Sequence, residues 1–284
     1  MSGTDGFWDL PALGELPPEE RGAFYDAIAE DEKSTGRAGF AGLGDSAFFE
    51  NPGLKVGLIE GDSVVAATGY TRRKPIRNSK INLFLERYFA YQMPGRDFDL
   101  QLMIGSHHHF AGRKEPSEVT HTFAVAGREG DYVPCLGAAL FGGLSIRDNL
   151  LLRIGVTYLG DRTRDEIVKH LNSEGVKKGL LLATGYNPIF GAAASYAQSI
   201  AVALVNSKFR NRKITRAEIT LSGSPGAISI PLVEGTYVLV QPKRDEQELS
   251  FSNLRLNPSR DGILLGNQPL KRNHMMIRVQ PLGK

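Results

Sequence analysis

From Leu54 onward the chain alternates apolar and polar positions with a period of two: Leu54, Val56 and Leu58 are separated by Lys55 and Gly57, and Gly61-Asp62 then turns the chain into residues 63–71. Alternation of this kind sends successive side chains to opposite faces of a pleated strand, and a Gly-Asp break between two such runs predicts a hairpin. Further strands are predicted over residues 81–91, 98–104, 119–126 and 146–159, the last with Leu150, Leu152, Ile154, Val156 and Tyr158 on one face. Leu151 and Leu159 fall on the opposite face, so part of that strand is expected to be covered on both sides. Past Lys213, Ala217, Ile219 and Leu221 alternate with Arg216, Glu218 and Thr220, and strands follow over 228–232, 236–241, 249–256 and 275–279. Ser-Pro-Gly, Glu-Gly, Asn-Pro and Asp-Gly pairs supply the turns between them.

Helical periodicity takes over in a few places. Pro17 and Pro18 open a short helix through Glu19, Glu20, Phe24, Ile28 and Ala29, its acidic first turn suited to the positive end of a helix dipole. Thr163-Arg164-Asp165-Glu166 has the form of a capping box, with Ile167, Val168 and Leu171 as the apolar stripe and Gly175 as the stop. A second inserted helix is expected from Ala192 to about Asn206, where Ala193, Tyr196, Ala197, Ile200, Ala201 and Leu204 recur at three- and four-residue spacings. Residues 36–53 are rich in glycine and aromatics with neither period, and read as a linker or wrapped loop.

These elements predict a mainly β chain, with α+β as the alternative. The expected architecture is an antiparallel β-sandwich of C2-like topology over residues 54–284, carrying a helical insertion at about 162–206 and an N-terminal helical and linker extension over 1–53. Asp97 and Asp99 are too few carboxylates for a calcium-binding version of that fold.

Composition sharpens the picture only in part. With 41% hydrophobic residues among 284, the chain can bury a full core, and its 32 glycines, spread along it, fit many turns. Cys135 is the single cysteine, which excludes an internal disulfide. The N-terminus lacks the pattern of a secretory signal, and the longest apolar stretch, 191–205, is shorter than the roughly 20 residues a spanning helix needs. A cytoplasmic protein is therefore expected.

Several residue groups are candidates for chemistry. His107-His108-His109 could chelate a metal through His107 and His109 with a third ligand from His121, Glu118 or Asp99, but the spacing matches no zinc signature, so neither a metal nor another cofactor is expected. Cys135, with His121 or the triplet as base, is the candidate nucleophile of a hydrolase; Pro134 before it and an apolar run after it favour a buried thiol instead. The run from Gly137 to Gly143 lacks the Lys-Ser/Thr of a phosphate loop and reads as a turn entering the strand at Ile146, and Ser222 to Gly226 lacks a nucleophile elbow.

The net charge of +3 decides little, but the cations are clustered. Arg72, Arg73, Lys74 and Arg77 surround Pro75, and Lys208, Arg210, Arg212, Lys213 and Arg216 run without an acid until Glu218. Arginine's planar fork suits phosphate and carboxylate, and Phe84, Tyr88, Phe89 and Tyr91 could add stacking or interfacial contacts, although aromatics at strand spacing more often pack in a core. The expected function is a non-enzymatic module that docks on a protein partner or an anionic surface through residues 72–77 and 208–216. Nucleic acid and anionic lipid are the other partner classes, and self-association through strand edges is a further expectation. The alternatives are the cysteine- or metal-dependent hydrolase and a membrane-active or pore-forming signalling protein whose Ala-rich helix is released.

Overall fold

The computed structural model describes residues 11–20, 22–23, 53–91, 97–108, 117–128, 130–159, 213–242, 249–259 and 262–283. In chain order the strands are β1 (Lys55–Glu60), β2 (Ser63–Ala66), β3 (Ser79–Phe89), β4 (Asp97–His108), β5 (Ser117–Arg128), β6 (Tyr132–Ile146), β7 (Asn149–Leu159), β8 (Lys213–Ser222), β9 (Ile230–Pro231), β10 (Gly235–Val240), β11 (Leu254–Leu256), β12 (Ile263–Leu265), β13 (Gln268–Pro269) and β14 (His274–Pro281). They form a nine-stranded sheet in the order β13-β12-β11-β2-β1-β10-β14-β3-β6 and a five-stranded sheet in the order β5-β4-β7-β8-β9. All neighbours pair antiparallel except β8 and β9, which run parallel. The chain is thus mainly β and sandwich-like, with a large curled antiparallel sheet.

The main core lies between the sheets. Leu58 of β1, Leu83 of β3 and Ile277 of β14 meet Leu152 and Ile154 of β7 and Leu221 of β8 within one buried cluster. Each such side chain contributes about 1.5–3 kcal/mol by leaving water. Leu150, Leu152, Ile154 and Val156 are all buried, as their alternation requires, and Ala217, Ile219 and Leu221 are buried between more exposed neighbours.

A second cluster covers the other face of the large sheet. Val238, Val240 and Met276 pack there against Phe251, Leu254 and Ile263, carried by a 3-10 turn at Phe251–Asn253 and the short strands that follow. The large sheet therefore curls over its own outer face, so β10 and β14 are buried on both sides. That is why Tyr237-Val238-Leu239-Val240 and Met275-Met276-Ile277 are continuous apolar runs where one-sided strands would alternate.

Several expectations need correction. Residues 137–143 are no turn: they lie inside the fifteen-residue strand β6, and the turn falls after it at 147–148. Pro134 and the glycines lower strand propensity, but β6 is an outer strand, where a missing N–H is tolerated. The strand expected over 228–232 shortens to β9, and that over 249–256 becomes a 3-10 turn followed by β11.

Helix at the N-terminus begins at Pro18 and is described at residues 18–20 and 22–23. Before it, a 3-10 turn at Leu13–Glu15 is followed by Leu16, which is buried in the main core, and Glu15 lies 3.9 Å from Arg216 on β8. The two inserted helices expected at about 162–206 lie outside the described residues. Among the described residues no helix is long and apolar enough to cross a membrane.

Candidate functional site

Residues 67–78 link β2 to β3, both strands of the large sheet. On the way, the Gly69 N–H donates to the Ser229 carbonyl at 3.0 Å, Ile76 to Leu232 at 2.7 Å, and Asn78 to Arg147 at 3.1 Å. Arg73 donates to the carbonyls of Ile59 (3.0 Å) and Glu234 (2.8 Å), and Arg77 donates to that of Gly223. Arg73 thus grips the large sheet and Arg77 grips the end of β8 in the small one. Three segments converge at Gly223, where a Cβ would lie 2.6 Å from the carbonyl oxygens of both Asp148 and Ile76; glycine is needed for that close approach.

Tyr237 adds a second fastening between the sheets. Its hydroxyl donates to the Pro231 carbonyl at 2.6 Å and accepts the Val233 N–H at 2.8 Å, and burial pushes the phenol pKa far above its usual range.

Four sequence-identified cations, Arg72, Arg73, Lys74 and Arg77, are gathered on this link. Arg72 pairs with Glu60, whose other oxygen accepts from the Tyr70 hydroxyl at 2.9 Å. The Tyr70 pKa is raised, first by burial and then by that bond, with Arg73 opposing. Lys74 and Arg147 are exposed. Beside them, residues 223–229 carry Ile228, which is 88% exposed.

Residues of the second basic segment are placed differently. Lys213 opens β8, while Gly223 follows its far end, so about 30 Å of strand separates Lys213 from the first cluster. Lys208, Arg210 and Arg212 lie outside the described residues.

At the end of the sandwich away from Gly223 sits a buried polar centre that the sequence reading missed. His274 Nδ1 donates to the Arg272 carbonyl at 2.8 Å, which leaves Nε2 to accept from the Tyr132 hydroxyl at 2.9 Å. That hydroxyl in turn accepts the Ile263 N–H at 2.8 Å. Phe89 packs on both rings, with centroids 4.8 Å from Tyr132 and 5.0 Å from His274. Burial lowers the His274 pKa from 6.5 to about 4, outweighing the carbonyl bond that raises it. Next to it, Asn273 donates to the Gln241 side-chain oxygen at 3.0 Å and accepts the Tyr91 N–H at 2.7 Å. The arrangement is a neutral hydrogen-bonded clamp joining β6, β12 and β14. A lone histidine in an apolar strand gives no sequence signal for it.

The other candidates are spread out. His121 is the ladder partner of Ile104 and His107 that of Glu118, an odd offset that assigns positions 107 and 121 to opposite faces of the small sheet. Cys135 lies on β6 in the large sheet, and His109 is outside the described residues. Among the described residues no group of three or more metal-ligating side chains occurs. Of the aromatics, Tyr88 and Phe89 are buried, and Phe84 lies beneath the Arg278 guanidinium at 4.3 Å. Comparison with protein families, with curated proteins and with solved structures returns no match.

Proposed function

We propose that this chain is a non-catalytic docking module whose Gly223 end engages an anionic lipid surface. The observation that carries the reading is the placement of exposed Ile228 on a loop fastened to the segment bearing Arg72, Lys74 and Arg77. An apolar tip beside cations suits the boundary between acidic headgroups and acyl chains, where the side chain leaves water and the cations meet phosphate. Each cation near such a surface contributes about 1 kcal/mol, and burying isoleucine about 1.5–3 kcal/mol. Because Arg72 is paired with Glu60, Lys74, Arg77 and the tip together give a dissociation constant on the order of 1 mM. Lys213 takes no part in this contact, because it opens β8 at the other end.

A non-catalytic role is supported by the His274–Tyr132 pair: both groups are occupied by internal hydrogen bonds, and the imidazole is 1% exposed. Co-sedimentation with phosphatidylcholine vesicles, with and without phosphatidylserine, tests the reading. Binding is expected only with phosphatidylserine, and is expected to weaken with added salt and with Lys74→Glu. Equal retention on both vesicles, or on neither, rejects it.

A further inference from the structure

Among the described residues the two sheets have four outer strands, and they are not alike. β13, β9 and β6 contain Pro269, Pro231 and Pro134, respectively, and β13 and β9 are two residues long. Proline lacks the N–H that an added strand would need, and short or irregular edges offer little to pair with. The pairing of β6 with β3 is also broken by three register shifts.

Strand β5 carries none of these features. Its twelve residues pair with β4 in unbroken register from Ser117 to Arg128, without a proline or a bulge, and among the described residues it has a ladder partner on one side only. Three edges are blunted against pairing, and the fourth is left regular.

We propose that β5 pairs antiparallel with β5 of a second copy of this chain, about a two-fold axis at Phe123, so that the small sheet runs continuously through a dimer. The sequence of β5 is self-complementary in that register. In that register position 118, a glutamate, pairs with position 128, an arginine, at both ends of the ladder, position 120 pairs with 126, and position 122 with 124. Opposite charges directly across a ladder stabilise it, and like charges oppose it. Shifting the register by one position removes both Glu–Arg matches. A two-fold axis also makes the contact closed, so it ends at the dimer and does not grow into a filament.

Sedimentation equilibrium of the full chain is expected to show a dimer. Arg128→Glu and Glu118→Arg should each weaken it about tenfold or more, since each creates two like-charge pairs. Mixing the two single variants should restore dimers, because each then supplies the charge the other lacks. Arg128 is also the intrachain partner of Asp97, so a second arm avoids charge changes. In a Cys135→Ser background, Phe123→Cys should cross-link to its own copy on oxidation, as paired Cα atoms lie about 4.5–5.5 Å apart. Val119→Cys should not, since its two copies sit about 27 Å apart along the ladder. A monomer at every concentration overturns the proposal. So does a dimer indifferent to both charge variants, or one cross-linked as readily through residue 119 as through 123.

Discussion

Acidification should destabilise the fold through His274, over a pH window set by that one residue. The imidazole is 1% exposed and neutral, with Nδ1 donating to Arg272 and Nε2 accepting from Tyr132. Its pKa is about 4 in the fold against 6.5 for an unperturbed histidine. Between these values the unfolded chain binds a proton that the folded chain refuses, so stability is full above pH 6.5 and falls as the pH drops toward 4. The difference amounts to roughly 3 kcal/mol, with a slope approaching about 1.4 kcal/mol per pH unit inside the window. Urea unfolding at a series of pH values, on the wild type and on His274→Gln, reads this directly. The His274→Gln curve should be flatter by that slope whatever its absolute stability. Parallel curves for the two proteins would refute the assignment of a buried neutral imidazole.

Replacing Tyr132 by phenylalanine removes the partner of both the Ile263 N–H and His274 Nε2, and should cost about 2–4 kcal/mol, read as a lower urea midpoint with an unchanged m-value. Gly223→Ala places a methyl group against two carbonyl oxygens and should cost about 1–3 kcal/mol, seen as a lower calorimetric melting temperature. Ile228→Asp should leave the melting temperature within the small range typical of surface changes, about 0.5 kcal/mol, yet abolish retention on phosphatidylserine vesicles.

Strand periodicity carried most of the fold. Leu150, Leu152, Ile154 and Val156 are buried as their spacing requires, and Gly61 turns β1 into β2 with a positive φ of 63°. β6 was not legible, because Pro134 and its glycines look like loop in isolation and are tolerated only through the strand's outer position, which is a property of the assembled sheet. The curl of the large sheet was equally hidden: continuous apolar runs such as Tyr237 to Val240 announce cover on both faces without saying that the chain's own 249–270 segment supplies it.

At the candidate site, the clustering of Arg72, Arg73, Lys74 and Arg77 was visible in the sequence, but their division of labour was not. Arg73 and Arg77 hold backbone carbonyls more than a hundred residues away, and Arg72 meets Glu60, so much of the basic cluster fastens the sandwich as well as charging its surface. Ile228 gave no signal, since an isoleucine after Ser-Pro-Gly-Ala reads as the start of a strand; in the fold it lies in a turn that the Ser229 N–H closes onto the Gly226 carbonyl, and it is exposed.

Docking through the Gly223 end is read most directly at position 228 itself. With Trp8, the single tryptophan, replaced by phenylalanine and Ile228 by tryptophan, one indole reports the environment of the tip. Phosphatidylserine vesicles should shift its emission to the blue, and Lys74→Glu or added salt should reverse the shift. Emission unchanged by those vesicles would contradict the docking assignment.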